Sequence, residues 1–156
     1  MSGAAPIFRV AAMEDMASII ALLADDDLGR AREQATAAEG APDAYREAMA
    51  AVLADPSHEQ LVVELDGRIV GCLHLIYIPG LSRHGALRAQ IEAVRIAAPL
   101  RGQGLGKAFM EWTLDRARAR GAKIAQLTTD KSRKRAHQFY RELGFNDSHV
   151  GMKREL

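Results

Sequence analysis

A glycine-rich turn between an expected strand and an expected helix is the segment of the sequence best suited to chemistry. The whole segment runs from Ile91 to Lys107, and its turn holds glycines at positions 102, 104 and 106. Glycine tolerates positive φ and lets a ligand approach the main chain closely. The first turn of a helix leaves its N–H groups unpaired, and together with the positive helix end they form a site suited to phosphates. Arg101 and Lys107 add positive charge at the edges of the turn.

Three phosphate-binding patterns compete for this turn. A P-loop requires Gly-x-x-x-x-Gly-Lys-Ser/Thr, but Lys107 is followed by Ala108, and the first glycine of that pattern is missing. A dinucleotide fingerprint requires Gly-x-Gly-x-x-Gly, and the run from Gly102 to Gly106 is one residue too short. The third pattern, Arg/Gln-x-x-Gly-x-Gly/Ala, fits residues 101–106 at every position.

With this pattern the chain resembles the GNAT superfamily of N-acetyltransferases, most strongly from Gln90 to Phe145. The segments Leu127-Thr-Thr-Asp-Lys-Ser-Arg and Ala136-His-Gln-Phe-Tyr-Arg-Glu-Leu-Gly-Phe145 look like the second cofactor-binding segment of the family. Two matching motifs at the right separation are more specific than one glycine loop. The resemblance implies a single N-acetyltransferase domain over residues 1–156 with acetyl-CoA (coenzyme A) as its co-substrate.

The resemblance also implies which residues contact the cofactor. Main-chain amides of the turn hold the pyrophosphate of coenzyme A in this family; here they belong to Arg101, Gly102, Gln103, Gly104, Leu105 and Gly106, with Lys107 close by. In the family the preceding strand splays from its neighbour and the pantetheine arm lies along it, which places Val94, Arg95 and Ile96 beside the arm. A free N–H near Ile96 would polarise the thioester carbonyl. Asp130 stands where the family often has Asn, and is expected to bond a pantetheine amide.

Two side chains are expected to move protons. Tyr140 matches the tyrosine near the coenzyme A sulfur in the family, and a phenol with a pKa of about 10 can protonate a departing thiolate. The alternative is that Tyr140 only packs, like Phe139. An alkylamine with a pKa of about 10.4 is on the order of 0.1% neutral or less at pH 7, so a base must accept its proton. Glu92 matches a glutamate that many relatives use for this role, and the alternative is a solvated or salt-bridged strand residue.

Two other side chains have plainer interpretations. His137 lies one helical turn before Tyr140 and is interpreted as a structural or cofactor-edge residue rather than a catalyst. Cys72 lies in an apolar β-rich run and is expected to be a buried core residue rather than an acetyl carrier. No covalent enzyme intermediate is needed for acetyl transfer.

The elements that position these residues follow from apolar periodicity and turn signals. The expected elements are a strand at 7–11, helices at 13–23 and 42–54, strands at 60–65, 68–78 and 88–97, a helix at 104–120, a strand at 123–128, a helix at 132–143 and a strand at 149–156. Residues 25–40 are expected to form a loop with some helix, and Asp66-Gly67 a two-residue hairpin turn. Alternation on the strand at 88–97 predicts Ile91, Ala93 and Arg95 on one face and Glu92, Val94 and Ile96 on the other.

This order of elements predicts an α/β (α+β) fold in one domain. We expect a central mixed, mostly antiparallel sheet of about six or seven strands, with about four helices on both faces. The helix at 104–120 crosses over to a neighbouring parallel strand.

Composition limits the other function classes. The chain has 156 residues and one cysteine, which excludes an intrachain disulfide, and no apolar run approaches the roughly 18 residues of a membrane span. With no signal peptide recognised at the N-terminus, we expect a cytoplasmic protein without a membrane partner. The five histidines show no ligand spacing, so no metal is expected. The basic run at 131–135 lacks interleaved aromatic residues, and no nucleic-acid partner is expected.

The acceptor is left open by the sequence. Residues 1–60 hold 4 basic and 11 acidic side chains, whereas residues 61–156 hold 17 and 9, so an anionic ligand is expected in the later part. The resemblance implies that the acceptor surface comes from residues 22–42 and 79–88. Its acidic residues (Asp25, Asp26, Asp27, Glu33 and Glu39) could attract a cationic substrate or form a solvated loop.

A small-molecule primary amine is the leading expectation, and the similarity after Gln90 to aminoalkylphosphonate acetyltransferases keeps an anionic amine open. The alternatives are peptide or protein acetylation and a non-enzymatic acetyl-CoA-binding module, and a homodimer is possible because relatives are often dimers.

Overall fold

The computed structural model describes residues 4–37 and 41–156. Its five strands are β1 (Ile7–Val10), β2 (His58–Leu65), β3 (Arg68–Ile78), β4 (Arg88–Ile96) and β5 (Ile124–Leu127). Its helices are α1 (Met16–Leu23), α2 (Asp27–Ala37), α3 (Ala41–Ala54), the short turn α4 (Ser82–Gly85), α5 (Leu105–Ala119) and α6 (Lys134–Glu142), with 3-10 turns at Met13–Asp15 and Ala98–Leu100. Within this part of the chain, no helix has the length and apolar character needed to cross a membrane.

The strands form one sheet in the order β1-β2-β3-β4-β5. The first three pairs of neighbours are antiparallel and the β4–β5 pair is parallel. The hairpin between β2 and β3 turns at Asp66 and Gly67, whose φ angles of 50° and 72° are those of the tight turn that the sequence predicts. The predicted mixed, mostly antiparallel sheet is therefore confirmed.

Helices cover both faces of this sheet, as predicted. On one face α5 buries Phe109 and Met110 against a cluster that includes Leu73 and Ile91. On the other face α1 and α3 pack against Val62 and Cys72 in a second cluster. The sheet is thus a rigid layer from which side chains of β4 project to either side.

The predicted strand at 149–156 is wrong, and the sheet has five strands instead of six or seven. Val150 and Met152 are 72% and 91% exposed. With these side chains exposed to solvent, a strand here would have no buried apolar face to stabilise it. The residues after α6 instead run as irregular chain past the end of β5, where Gly151 lies against Thr128.

The segment at 25–40, predicted as a loop with some helix, is mostly helical, because α2 occupies Asp27–Ala37. Helix α2 is rich in Ala, Arg, Glu and Gln, which favour helices. The Asp26 carboxylate caps its first turn by accepting the N–H of Gly29 at 2.6 Å. Residues 38–40 of the predicted loop lie outside the described residues.

A bulge in β4 overturns the predicted assignment of its faces. His74 pairs with Glu92 and Cys72 pairs with Arg95, so one extra residue of β4 is inserted between these pairs. Ala93 there has a left-handed φ of 54°. Because Cys72 and His74 share a face of β3, their partners Glu92 and Arg95 share that face too.

After the bulge, Val94 and Ile96 point to the opposite face from Glu92. They pack against the core cluster that contains Phe109. Strict alternation cannot anticipate this change, since the bulge is set by pairing with β3 rather than by the sequence of β4.

Candidate active site

The bend between β4 and α5, residues 99–107, presents a row of unpaired main-chain amides. Gly102 and Gly104 have φ angles of 76° and 84°, and Gly104 caps α5. Among the described residues, the first main-chain amide that finds a partner after Arg101 is that of Ala108, which bonds the Gly104 carbonyl at 3.0 Å. The amides of residues 102–107 remain available at the positive end of a 15-residue helix. This arrangement suits a diphosphate.

The side chains of the bend hold its shape. Arg101 donates through Nε to the Ile96 carbonyl at 2.8 Å and through Nη2 to Asp25 Oδ2 at 3.0 Å. Gln103 donates to the Pro99 carbonyl at 2.8 Å. Lys107 is exposed, 3.9 Å from Glu111, and its ammonium can turn toward an anion. The guanidinium of Arg101 therefore stabilises the bend, while Lys107 supplies mobile charge.

Strands β4 and β5 separate beside this bend. Their parallel pairing ends at Ile91 and Leu127, whereas β4 continues to Ile96 while still paired with β3. From Glu92 onward the β5-facing edge of β4 has no partner strand among the described residues. The three residues expected beside the pantetheine arm, Val94, Arg95 and Ile96, lie on this open edge.

Glu92 is held at the start of the open edge by two glutamines that sequence reasoning missed. Gln126 of β5 donates to Gln90 Oε1 at 2.6 Å, and Gln90 donates to Glu92 Oε1 at 2.8 Å. Gln90 and Gln126 are direct neighbours in the β4–β5 register. These two hydrogen bonds orient the Glu92 carboxylate. Within residues 4–37 and 41–156 its second oxygen has no hydrogen-bond partner and can accept one from a ligand or water.

A histidine pair lies on the same face as Glu92. His74 is directly opposite Glu92 in the β3–β4 ladder, and its Nε2 lies 2.9 Å from His58 Nδ1. Burial, and then the nearby His58, lower the pKa of His74. Its ring is therefore neutral at pH 7 and adds no competing positive charge beside Glu92.

Tyr140 projects from α6 toward the gap between β4 and β5. Its ring contacts Phe139 and Phe145 edge-on, at centroid distances of 5.2 and 6.0 Å. Burial raises the pKa of the phenol, the charges of Arg133 and Arg95 oppose this, and the carboxylate of Glu92 adds to it. The net effect keeps the phenol protonated above its ordinary range, as a proton donor requires.

Asp26 joins three parts of the site at the α1–α2 corner. Its carboxylate pairs with Arg95 of β4 at 3.5 Å and with Arg133, just before α6. Burial favours a higher pKa for Asp26, but the N–H of Gly29 and the charges of Arg95 and Arg133 outweigh it and lower that pKa. Asp25 binds Arg101, so both carboxylates of this corner are already neutralised by arginines.

Asp130 and His137 are engaged within their own loop. The Asp130 carboxylate accepts the Ser132 hydroxyl at 2.6 Å and the Ser132 N–H at 2.9 Å. His137 Nε2 lies 2.8 Å from the Asp130 carbonyl. These contacts order the β5–α6 loop, and a bond from Asp130 to a pantetheine amide stays a prediction.

Cys72 is fully buried, and burial raises the pKa of its thiol to about 12. A thiol in that state is not a nucleophile at neutral pH.

An open cleft of about 780 Å³ continues from Tyr140 along the start of β4 and past β5. We call it the β4–β5 cleft; its lining includes Arg83, Arg88, Gln90, Gln126, Tyr140 and Arg141, together with residues 143–151. Sequence reasoning missed Arg83 and Arg88 as individual residues, although it assigned the segment 79–88 to the acceptor surface.

Comparisons with known proteins agree with this geometry. Residues 22–145 match the acetyltransferase (GNAT) family. Over 113 residues the chain is 30% identical to an aminoalkylphosphonate N-acetyltransferase of Salmonella typhimurium, covering 72% of this chain and 73% of that protein.

Solved structures of similar shape cover nearly the whole chain. A protein of Bacillus halodurans C-125, described as a transcriptional regulator, has a TM-score of 0.91 and 38% identity over 97% of this chain and 100% of its own. An acetyltransferase of Trypanosoma brucei has a TM-score of 0.77 and 25% identity, with 97% and 100% covered. The overall fold is thus shared with these two proteins over 97% of this chain.

Proposed function

The chain belongs to the acetyltransferase (GNAT) family and is an acetyl-CoA-dependent acyltransferase, and from this premise we propose that it acetylates the primary amine of a small molecule by direct attack. The amine nitrogen attacks the thioester carbonyl, the carbon–sulfur bond breaks, and an amide and coenzyme A are formed. The observation that carries the proposal is the row of free amides at residues 102–107 next to the open edge of β4.

Coenzyme A fits the residues present. The amides of the bend would bind the pyrophosphate, with Lys107 nearby, and Val94, Arg95 and Ile96 would hold the pantetheine arm. Main-chain N–H groups of this edge would then stabilise the charge that develops on the thioester oxygen. Asp25 and Asp26 support this arrangement by fixing the bend and Arg95.

Glu92 and Tyr140 divide the proton transfers. The Glu92 carboxylate, oriented by Gln90, takes the proton from the ammonium form of the acceptor, directly or through one water. The phenol of Tyr140 donates its proton to the departing thiolate, and its raised pKa keeps it protonated until that step. Cys72 is buried as a neutral thiol, which supports transfer without an acetyl-cysteine intermediate.

A small acceptor is favoured over a peptide by two observations. The Salmonella relative, 30% identical, is named for a small aminoalkylphosphonate. The β4–β5 cleft of about 780 Å³ lies within the size range typical of small-molecule sites.

Thiol release from acetyl-CoA, measured with small primary amines and with peptides bearing a free α-amine or lysine, tests the proposal. We expect release with small amines and little with peptides. Faster release with peptides would replace the small-molecule acceptor by protein acetylation. Calorimetry of coenzyme A with the folded protein provides the second measurement, and absence of binding would overturn the function altogether.

A further inference from the structure

The β4–β5 cleft carries an excess of positive charge. Among the described residues that line it, four are arginines (Arg83, Arg88, Arg118 and Arg141) and the one carboxylate is Asp147. Arg141 pairs with Asp147 at 2.8 Å, and Arg118 pairs with Asp115 at 2.5 Å. Arg83 and Arg88 have no carboxylate partner in the part of the chain that the structure describes.

Arg88 is held firmly but incompletely satisfied. Its backbone is paired on both sides, with Ile78 of β3 and Ile124 of β5. Its Nε is buried and has no hydrogen-bond partner among the residues that the structure describes. A buried donor without an acceptor destabilises the fold unless a ligand supplies the acceptor. Arg95, whose Nε is also buried without a hydrogen bond, differs in having Asp26 beside it at 3.5 Å.

Arg83 lies on a strained turn. Arg83 and His84 have φ angles of 56° and 59°, in the left-handed region that residues other than glycine rarely adopt. Strain of this kind is concentrated at binding and catalytic sites. The turn belongs to the loop between β3 and β4 and places Arg83 in the lining of the cleft.

Glu92 and Arg88 mark the two ends of an acceptor path. Ala89 and Ile91 point into the core on the α5 face, so Arg88, Gln90 and Glu92 share the other face of β4. Three residues lie between Glu92 and Arg88, which places their Cα atoms about 13 Å apart along the strand. Arg88 Nη2 lies on the side of Gly80, in the loop that also carries Arg83, so the two arginines belong to the same end of this path.

We propose that the other end of the acceptor is an anionic group, a phosphonate, phosphate or carboxylate, bound by Arg83 and Arg88. This inference rests on the proposed function, because it assumes that the amine lies at Glu92. Guanidinium groups bind such anions through two parallel hydrogen bonds, and an anion would give the Arg88 Nε its missing acceptor. A cationic acceptor is disfavoured, since Asp25 and Asp26 are occupied by arginines.

The test compares acceptors of similar length that differ in the far group. Initial rates of thiol release are measured with 2-aminoethylphosphonate, β-alanine, propylamine and putrescine. We expect kcat/KM for at least one anionic amine to exceed that of propylamine by roughly tenfold or more, as charge-assisted hydrogen bonds allow. A preference for the phosphonate over β-alanine would assign a tetrahedral dianion, and equal rates would assign anions in general.

Three variants assign the preference to residues. Arg83→Gln and Arg88→Gln are each expected to reduce the ratio of kcat/KM for the anionic amine to that for propylamine by roughly tenfold. Arg68→Gln makes the same change at an exposed position beside the β2–β3 hairpin and keeps the ratio. Arg83 is exposed, so its variant remains informative if Arg88→Gln fails to fold. The inference would be overturned if propylamine or putrescine reacted with the unchanged protein as fast as the anionic amines. It would also be overturned if the preference for an anionic amine survived in both Arg83→Gln and Arg88→Gln.

A binding measurement separates this inference from the proposed function. Calorimetry with 2-aminoethylphosphonate is performed on protein saturated with coenzyme A, so that the bend is already filled. A heat of binding for 2-aminoethylphosphonate that is retained in Arg68→Gln and lost in Arg83→Gln supports the anion site, even if no amine is acetylated. The absence of acetylation in that case would overturn the proposed function alone. Heat that is absent from the unchanged protein, or unaffected by Arg83→Gln, refutes the site.

Discussion

In the proposed function, the two ends of β4 serve the same reaction by different means. At its C-terminal end, the bend at residues 99–107 offers main-chain amides, and its side chains mostly hold the bend in shape. At its N-terminal end the contacts come from side chains. Gln90 orients Glu92, and Arg88 has a buried Nε without a hydrogen-bond acceptor among the described residues. A binding site made of main-chain amides depends on local conformation. A binding site made of side chains depends on which elements, distant in sequence, lie next to each other in the fold.

This difference predicts that the acceptor site can change while the cofactor site is kept. Every residue except proline carries a main-chain N–H, so the bend tolerates other substitutions as long as its glycines keep positive φ. Arg83, Arg88 and Gln126 come from three separate elements, and each can be replaced without disturbing the bend. Substitutions at the two ends should therefore have separable effects on catalysis, coenzyme A affinity and stability.

The largest effect is expected for Glu92→Gln, which keeps the hydrogen bond to Gln90 and removes the base. Turnover at pH 7 should fall by about 10²–10³-fold. The defect should shrink as pH rises toward the amine pKa of about 10.4, because more of the acceptor is then already neutral. The pH–rate profile measures this, with the exposed Glu47→Gln as control. A parallel profile for both variants would remove Glu92 from the role of base.

Tyr140→Phe should cost less, roughly 10²-fold in turnover, because water can still protonate the thiolate. The ring contacts with Phe139 and Phe145 are retained, so affinity for coenzyme A should not change. The pKa of Tyr140 is raised, so its protonated, active form should persist beyond pH 10 and the alkaline loss of activity should lie above that value.

Tyr77→Phe serves as the control for this prediction. Tyr77 lies near the C-terminal end of β3, away from the proposed reaction path. Its hydroxyl is 3.4 Å from Glu59 Oε2 of β2. Equal activity of the two phenylalanine variants would mean that Tyr140 only packs.

Gly104→Ala tests the bend, with an expected loss of roughly tenfold in coenzyme A affinity. A Cβ meets no atom within 4 Å there, so the cost arises from the φ of 84°, about 1–2 kcal/mol for a residue other than glycine. Gly67→Ala is a matched control at φ 72° in the β2–β3 hairpin, also with open space around it. Both variants should lose stability, and calorimetry should show weaker coenzyme A binding in Gly104→Ala alone. Equal affinities would mean that the bend does not bind the diphosphate.

Conformation set by neighbouring residues is easier to predict from the sequence than pairing between distant ones. Gly102 and Gly104 were expected to tolerate positive φ and both adopt it, and the predicted Asp66-Gly67 turn is equally local. The bulge at Ala93 carries no such signal, because it arises from pairing with β3. It moved Glu92 and Arg95 onto one face, where alternation had placed them on opposite faces.

Contacts between distant residues were missed for the same reason. Gln90 and Gln126 are 36 residues apart, and nothing local marks them as partners. The helix α2 did have a readable signal, an aspartate three residues before Gly29 at the head of a helix-favouring stretch. The lack of large apolar residues there led to the prediction of a loop with only some helix. The α1–α2 corner is fixed by the ion pairs of Asp26, which a search for apolar periodicity does not detect.

Asp26→Asn should have the smallest effect and sharpens that last point. Asn can still accept the Gly29 N–H, so the cap remains and only the charge facing Arg95 and Arg133 is lost. We expect a loss of about 1 kcal/mol in unfolding free energy at pH 7, because the carboxylate is partly exposed.

The folded state lowers the pKa of Asp26. The contribution of its charge to stability is therefore complete above the ordinary pKa of about 3.9 and disappears as the pH falls through the pKa of the folded state. Thermal unfolding at pH 7 and near pH 3 should show the gap to the unchanged protein narrowing in acid, while the 99% exposed Asp27→Asn shows little gap at either pH. A gap of the same size at both values would mean that the corner is held by the cap and not by its charge.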